Sequence, residues 1–317
     1  MPFDAYVELC KVINTTKPRS FRETFGNELA LVDTVLDAKS DDMLDSARRI
    51  ACFPTESSRK DYSTFLSDMF VHIIKEIYIA KPDLAHSEAI LNQAVVWPAI
   101  RATLHAINDT HDDLSFYPGE EQLQSMTTQR RVNDGQHDER SVYKADAIIR
   151  TSDGLEIALA ETSNGYNEGT QSKVFFDFHK GIYGAASMLK TIADRYKYAN
   201  YSLMSELKIF FWHIHSTKIR LWSLSCPSPG IFIVYREDSC VIPVSFNDDQ
   251  KIPLDYIRFI WCFKEQLDQI MRTLHVLRES HQLNMKQYRY YPLPADKDLS
   301  EIVKPSIIKV TEKVHSK

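Results

Sequence analysis

The order of hydrophobic and polar positions divides this chain into a helical beginning and a later region in which strands and helices alternate. In the first eighty residues apolar positions recur at four-residue spacing, as at Phe65, Met69 and Ile73, which is typical of amphipathic helices. Lys81-Pro82-Asp83 interrupts this pattern and predicts a boundary. Residues 1–84 are therefore predicted to form a helical N-terminal extension.

A second helix is predicted over residues 88–107. Ser87 is a favourable N-cap residue, and the positions after it are rich in apolar residues. Pro98 lies inside the segment, so we expect a kink near Val96-Trp97. The polar stretch 108–139 predicts a long loop or a pair of short elements.

The hydrophobic period shortens after residue 141. Residues 142–149 and 155–161 are predicted to form two strands, separated by a turn at Asp153-Gly154. A helix is expected to follow, capped by Ser172 and running to about residue 196. Its apolar stripe at helical spacing consists of Phe175, Phe178, Ile182, Ala186, Leu189 and Ile192.

Further strands and a long helix complete the predicted order. The strands are expected at residues 207–214, 219–224, 231–235 and 241–246. An amphipathic helix from about residue 254 to 280 would close a core that spans residues 85–283, and residues 284–317 form a basic tail with Tyr and Pro. This order predicts an α/β protein with a mixed sheet flanked by helices.

Composition restricts the class of protein without identifying its chemistry. Of 317 residues, 44% are hydrophobic and 26% charged, which is typical of a folded globular protein and excludes wholesale disorder. No apolar run approaches the roughly 20 residues that span a bilayer, so no membrane association is expected. The five cysteines are scattered and never spaced as Cys-x-x-Cys, which predicts reduced thiols and an intracellular location, nuclear or cytoplasmic.

The net charge of −5 gives no general basic surface for nucleic acid. Residues 105–121 hold five acidic residues and no Lys or Arg, so this acidity is concentrated in one segment and the remainder of the chain is neutral. Arg130-Arg131 and the tail from Asn284, with seven Lys or Arg and four Asp or Glu, are the best local candidates for phosphate contacts. Charge therefore neither excludes nor supports a nucleic-acid partner.

Two carboxylates in the predicted hairpin are the most informative feature. If Asp153-Gly154 is a two-residue turn, Asp146 lies directly opposite Glu161, with Cβ atoms roughly 4.5–5.5 Å apart. Like charges at that distance destabilise a sheet unless a positive group lies between them, so the pair is typical of half a divalent-metal site. A turn one residue longer would break the opposition, and either acid could instead face solvent or pair with Lys144.

Over about residues 85–225 the chain resembles the PD-(D/E)XK nuclease-like superfamily, in particular divergent fungal-type members. The resemblance rests on Glu88 early in a helix, on Asp146 and Glu161 in a hairpin, and on the helix that follows. The resemblance implies a restriction-endonuclease-like mixed sheet flanked by helices, in the order helix–strand–strand–strand–helix–strand. It also implies that Asp146 and Glu161 bind Mg²⁺ or Mn²⁺, to which Glu88 could add an outer carboxylate. The implied activity is metal-dependent phosphodiester hydrolysis of DNA or RNA.

The chain departs from the superfamily's motif at Ser163, which occupies the position of the lysine. Serine cannot supply a positive charge, so Lys173 and Lys180 on the following helix are candidates for a lysine that has moved. Asp177 at i+4 from Lys173 fits an ordinary solvated ion pair equally well. Two functions therefore stay open: a metal-dependent nuclease, or a catalytically inactive binding or scaffold module with a protein partner at the N-terminal helices or the tail.

Three histidines offer a different metal hypothesis. His213 and His215 lie two apart on a predicted strand, and His179 is on the preceding helix, so the three could bind zinc. No carboxylate or cysteine is fixed near them by local spacing, which favours ordinary core or edge histidines.

Overall fold

The computed structural model describes residues 19–52, 60–108, 114–134 and 142–307. Within these ranges the chain is a mixed α/β protein, with one six-stranded sheet and helices on both of its faces. The predicted mixed sheet flanked by helices is confirmed at this level.

Short helices precede the sheet, as the four-residue apolar spacing predicts. They are α1 (Phe21–Phe25), α2 (Leu29–Leu36), α3 (Ser40–Ile50) and α4 (Lys60–His72), which continues as a π-helical segment, Ile73–Ile79. The first begins with a capping box, in which the Ser20 hydroxyl accepts from the Glu23 amide and the Glu23 carboxylate accepts from the Ser20 amide. This region ends at Lys81, whose φ of 47° lies in the left-handed region, at the predicted boundary.

The predicted helix at Pro98 is three consecutive helical segments. They are α5 (Glu88–Leu91), a π-helical segment (Asn92–Val96) and α6 (Trp97–Asn108). Ser87 caps the first segment by accepting from the Ile90 amide, as predicted. Proline at position 98 has no N–H for the α-helical bond to the Ala94 carbonyl, and the helix adopts a π-helical segment just before it. The kink itself stays a prediction.

The sheet keeps its strands in sequence order. They are β1 (Ser115–Gln122), β2 (Lys144–Arg150), β3 (Glu156–Ser163), β4 (Lys208–His215), β5 (Lys218–Ser228) and β6 (Ile231–Val241). β3 and β4 are parallel, and every other neighbouring pair is antiparallel. A parallel pair needs a long crossover connection, and a helix supplies it here.

The helices after β1 cover the two faces of the sheet. They are α7 (Gln124–Asp134), α8 (Gln171–Arg195), α9 (Tyr201–Met204), α10 (Lys251–Gln287) and α11 (Leu299–Ile302). The crossover helix α8 packs on β3 and β4, while α10 packs on the opposite face, where Trp212 contacts Phe259 and Phe263. None of the helices in the described ranges is long and apolar enough to cross a lipid bilayer.

One strand prediction is wrong and one open alternative is decided. The described part of the stretch 108–139, predicted as a long loop or a pair of short elements, holds a pair of short elements, β1 and α7. Pro118 and a bulge are tolerated in β1 because it is an edge strand. Its Glu121 pairs with Arg150, so that part of the acidic segment is strand. No separate strand forms over 241–246: β6 runs unbroken through the predicted breaker at Glu237 and ends at Val241, and residues 242–246 are not strand.

The helix boundaries also differ in detail. α8 begins two residues earlier than predicted, with Thr170 and not Ser172 at the N-cap position. Phe175 of the predicted apolar stripe is 54% exposed, while Leu189 and Ile192 are buried. Of the predicted tail 284–317, residues 284–287 belong to α10, residues 288–307 are irregular apart from the single turn α11, and the last ten residues lie outside the described ranges.

The buried residues form one continuous cluster that extends from the N-terminal helices through the sheet. Trp261 of α10 lies at the junction, with ring centroids 5.5 Å from Phe25, 4.5 Å from Tyr62 and 4.9 Å from Phe65. The division at residues 84 and 283 stays a prediction.

Two glycines set how closely α8 approaches the sheet. A Cβ at Gly181 would lie 2.4 Å from the Phe211 ring of β4, and a Cβ at Gly184 would lie 2.8 Å from a Leu159 methyl of β3. The Phe211 ring is fully buried and stacked with other rings, whereas the leucine methyl can rotate away. Close packing of helix on sheet therefore depends mainly on Gly181.

We expect Gly181→Ala to unfold at a lower urea concentration than Gly184→Ala. Both changes gain about the same helix propensity, but overpacking against a buried ring should make Gly181→Ala less stable by roughly 1–2 kcal/mol. Equilibrium urea denaturation of both variants and the wild type measures this difference. Equal stabilities would contradict the role assigned to Gly181.

Candidate active site

Asp146 and Glu161 lie side by side where β2 and β3 separate. The ladder pairs Ile149 with Ala158 and Ala147 with Ala160, and the same register continued by one residue brings Asp146 opposite Glu161. The strands part there, because the Thr162 amide donates to the Asp146 carboxylate at 2.7 Å. The Asp146 carboxylate thus takes the place of a backbone carbonyl as acceptor for the Thr162 amide, and the strand pairing ends at Asp146 and Glu161.

The predicted register is reached by a different turn. The Thr151 amide donates to the Leu155 carbonyl at 2.9 Å, so three residues, and not Asp153-Gly154 alone, form the loop. An extra residue in β3, Ile157, then shifts the pairing from Arg150–Glu156 to Ile149–Ala158. The longer loop and the bulge compensate each other, which leaves the register at the acids as predicted.

The bulge also places Glu156 opposite Arg150, on the same face of the hairpin as Asp146 and Glu161. Glu156 accepts from the Arg150 guanidinium at 3.0 Å and from the amides of Gln124 and Ser125 at 2.9 and 2.8 Å. This carboxylate therefore caps the first turn of α7, and its role is structural.

Glu161 is 1% exposed, and its two carboxylate oxygens have different surroundings. Oε2 accepts from Lys180 Nζ at 2.8 Å, while Oε1 is buried with no hydrogen-bond partner among the described residues. Burial raises the pKa of this carboxyl well above its ordinary value, although Lys180 opposes the shift.

Lys180 reaches Glu161 from α8, which crosses above β3. Burial alone would lower the pKa of its ammonium, but the Glu161 carboxylate and the nearby Asp177 raise it above the ordinary value. Lys180 is therefore charged at neutral pH. Of the two candidates for a moved lysine, this is the one that the structure brings to Glu161.

Asp146 is half-buried at the edge of the same cluster. Burial raises its pKa to about 6, and the hydrogen bond from Thr162 and the charge of Lys180 only partly oppose this shift. Glu88 and Asp177 raise the pKa further through their negative charges. The carboxyl is therefore mostly ionised at neutral pH, but its pKa of about 6 lies close to that pH.

Ser163, at the motif's lysine position, belongs to a buried hydrogen-bonded group. Its hydroxyl donates to Asp177 Oδ2 at 2.7 Å and lies 3.2 Å from His213 Nε2. Asp177 therefore turns inward to Ser163 and does not form the i+4 pair with Lys173 that its spacing allows. Burial, and then the charges of His215 and Arg220, lower the pKa of His213 to about 3, so the ring is neutral.

Glu88 and Lys173 form a second ion pair at the rim of the cluster. Glu88 Oε1 accepts from Lys173 Nζ and from the Asn164 amide, the latter at 2.5 Å. Lys173 is thus held by Glu88 and has no direct contact with Glu161. The early helix acid is adjacent to the hairpin acids, as the predicted site requires.

The loop after β3 is strained and closely packed. Asn164 adopts a φ of 68°, and a Cβ at Gly165 would lie 2.2 Å from the Ala85 carbonyl oxygen. The Tyr166 amide donates to Leu84 and the Asn167 amide to Ser216, so the loop is held to two neighbouring segments. These contacts bring the start of α5, and with it Glu88, next to β3.

The cluster carries an excess of negative charge. Asp146, Glu161, Asp177 and Glu88 supply four carboxylates, while Lys173 and Lys180 supply two ammonium groups, which leaves a formal charge of −2. Each of the three inner carboxyls has a raised pKa, whose first cause is burial. The cluster therefore has fewer positive than negative groups.

The donor set fits a divalent cation with oxygen ligands. The buried, unpartnered Oε1 of Glu161 and the half-buried Asp146 provide two carboxylates, the number with which protein sites commonly hold Mg²⁺ when phosphate and water supply the other ligands. No group of three or more His, Cys, Asp or Glu side chains within the described ranges is arranged to hold a metal ion. The three histidines therefore gain no support as a zinc site, and His179 contacts the Phe175 carbonyl.

Three contributors to the site were not predicted from sequence. Tyr143 places a buried hydroxyl without a hydrogen-bond partner among the described residues, and Glu161, Asp177 and Asp146 raise its pKa beyond the effect of burial. Asn92, in the π-helical segment, accepts from the Thr162 hydroxyl at 2.6 Å. Neither residue, nor the Ser163–Asp177 contact, carries a local sequence signal.

A comparison with protein-family models, curated proteins and solved structures found no match to this chain.

We expect the pH dependence of folding to report the raised pKa of Asp146. Between pH 3.8 and about 6 the folded state holds a proton that the unfolded state has lost, so this group's stabilisation is present below pH 3.8 and is lost as pH rises through 6. Asp146→Asn keeps an acceptor for the Thr162 amide. It should match the wild type near pH 4 and exceed it near pH 8, by up to roughly 3 kcal/mol.

Urea denaturation across this range measures the difference between variant and wild type at each pH. Glu120→Gln, which changes an exposed carboxylate paired with Lys144, is the matched control and should show no such trend. A constant difference between Asp146→Asn and the wild type at both ends of the range would contradict the prediction.

Proposed function

We propose that this protein is a metal-dependent phosphodiesterase acting on nucleic acid, with a PD-(D/E)XK-like site in which Lys180 replaces the missing motif lysine. The contact that carries the proposal is Lys180 Nζ at 2.8 Å from Glu161 Oε2, beside Asp146. A charged lysine next to the two motif acids supports a relocated function, since Ser163 has no charge to offer.

The order of elements supports the same proposal. α6, β1, β2, β3, α8 and β4 follow one another as helix–strand–strand–strand–helix–strand, with β3 and β4 parallel, and α7 is an addition after β1. This is the order that the resemblance implies for a restriction-endonuclease-like core, and the acids lie on the strands where the motif has them.

In this proposal Asp146 and Glu161 would hold Mg²⁺ or Mn²⁺, and Glu88 would add negative charge at the rim. The bound ion would polarise the scissile phosphate and lower the pKa of a water molecule. The Lys180 ammonium, fixed by Glu161, would stabilise negative charge that develops on the phosphate. The closed packing of α8 on β3 would keep bulk water from this side of the pair.

One observation favours a second candidate, a catalytically inactive binding module. Ser163 is fully buried, and its hydroxyl is committed to Asp177 and His213, so the motif position itself contributes no reactive group. In that case the carboxylate cluster would be a remnant of a catalytic site, and the protein would act through binding alone.

We expect the wild type to cleave single-stranded or duplex DNA, or RNA, with Mg²⁺ or Mn²⁺ and not with EDTA. Asp146→Asn, Glu161→Gln and Lys180→Gln should each lower the cleavage rate by at least about a hundred-fold, because each removes a charge at the reacting group. Lys173→Gln should lose less, since Lys173 forms its ion pair with Glu88 at the rim and not with Glu161. Gel analysis of labelled oligonucleotides measures the rates.

Lys144→Gln is the matched control, because Lys144 is exposed on the same strand as Asp146 and pairs with Glu120 at the surface. Its rate should equal that of the wild type. Circular dichroism and thermal unfolding verify that the Glu161 and Lys180 variants fold. A wild type that cleaves none of the substrates with either metal, yet binds nucleic acid or a protein, would favour the inactive module.

A further inference from the structure

The sheet face on which α8 lies extends beyond that helix and carries a group of cations. Lys218 and Arg220 of β5 and Arg236 of β6, which we call the cationic strip, are exposed or half-exposed on this face. From the sequence, Arg130-Arg131 and the tail are the candidates for phosphate contacts, and the strip is not among them. Its three residues are separated in sequence and come together only through strand pairing.

The strand registers place the strip on the same face as the candidate active site. Phe178 of α8 contacts the rings of Phe211, His213 and Trp222, which marks those residues as the α8 side. Residues directly opposite in a ladder share a face. His213 pairs with Arg220, His215 with Lys218, and Trp222 with Arg236.

No carboxylate neutralises the strip within the described ranges. β4 and β5 contain no Asp or Glu, and none of the three cations forms an ion pair there. The two acids of β6 are engaged elsewhere: Glu237 accepts from Lys208 and Ser223, and Asp238 accepts from Arg258 of α10 on the opposite face. Arg220 instead donates to the His215 carbonyl at 3.2 Å.

The ionisable groups around the strip respond to its positive charge. Burial and then Arg236 lower the pKa of Arg220, and burial and then Arg220 lower the pKa of His215 to about 4. Like charges without counter-ions disfavour one another, so this surface is complementary to a polyanion.

The strip is also in line with the catalytic carboxylates. Glu161 pairs with His213, and His213 pairs with Arg220, so one row of the sheet runs from the acid to the strip across two strand spacings. That distance is about 10 Å, which corresponds to about three nucleotides of a stacked strand. Phe178 of α8 covers His213 in the middle of this row, so a chain with its scissile phosphate at Asp146 and Glu161 would pass around α8 to bring further phosphates to the strip.

We propose that the cationic strip of Lys218, Arg220 and Arg236 binds backbone phosphates of a nucleic-acid chain a few nucleotides from the phosphate at Asp146 and Glu161. The proposal rests on the proposed function for the identity of its ligand. The shared chemistry is the phosphodiester backbone, and the experiment distinguishes its sources by using single-stranded DNA, RNA and duplex DNA as separate probes.

The test is fluorescence anisotropy with labelled 20-nucleotide probes, on the full chain in EDTA and in the Asp146→Asn background, so that binding is measured without cleavage. Arg220→Gln with Arg236→Gln should weaken binding at least about ten-fold and lower the slope of log affinity against log salt by about 1.4–1.8, from two lost phosphate contacts. Arg220→Lys with Arg236→Lys should retain most of the affinity, because the charge is kept.

Arg22→Gln with Arg272→Gln is the matched control, since it removes the same charge from α1 and α10 and should leave affinity and slope near the wild-type values. Binding that is lost only in the strip variant supports the proposal, even if the wild type cleaves nothing and the nuclease proposal fails. A parent that binds no probe, or equal affinities of the strip and control variants, overturns it. Metal-dependent cleavage with unchanged binding in the strip variant would leave the nuclease proposal standing alone.

Discussion

The ion pair between Glu161 and Lys180 is the constraint on which the candidate site depends. A carboxylate that is almost wholly buried beneath a helix is stable as an anion only if a cation is buried with it, because desolvation costs several kcal/mol for each isolated charge. Lys180 must therefore project from the one turn of α8 that crosses β3 at this point. The glycine-mediated approach of α8, and the parallel placement of β4 beside β3, both fix that turn.

The cluster holds more charged groups than an ion pair that stabilises the fold would need. A protein that needed only to attach α8 to the sheet could use apolar contacts, since replacing a buried ion pair by packed hydrophobic residues is often neutral or stabilising. Here Asp146 and Asp177 are added to the pair, each with a raised pKa, and one oxygen of Glu161 has no partner among the described residues. Such unfavourable arrangements concentrate at functional sites.

Sequence reasoning could predict the parts that local rules control. The assumed two-residue turn at Asp153-Gly154 placed Asp146 opposite Glu161. This opposition is kept although the loop is longer, because the bulge at Ile157 offsets the extra loop residue. The i+4 rule, in contrast, favoured a Lys173–Asp177 pair. It failed because Asp177 accepts from the buried Ser163 hydroxyl at 2.7 Å, a contact that forms only once α8 has packed on β3.

The strands whose course the sequence left open or divided have a related physical cause. Pro118-Gly119 in β1 and Glu237-Asp238 in β6 have the composition of turns, and only tertiary contacts keep them extended: an edge position in the first case, and Lys208, Ser223 and Arg258 in the second. Propensity is a weak predictor wherever such partners come from distant parts of the chain.

The bulge in β6 links the two faces of the sheet. Because Glu237 is the extra residue between the Leu221–Asp238 and Trp222–Arg236 pairs, both acids of β6 bind partners away from the α8 side while Arg236 remains on it. Charge is thereby sorted across the sheet: carboxylates in excess at β2 and β3, cations in excess at β5 and β6, and neutral histidines between them on β4. A net charge of −5 hides this separation, since it adds up groups that the fold holds apart on one surface.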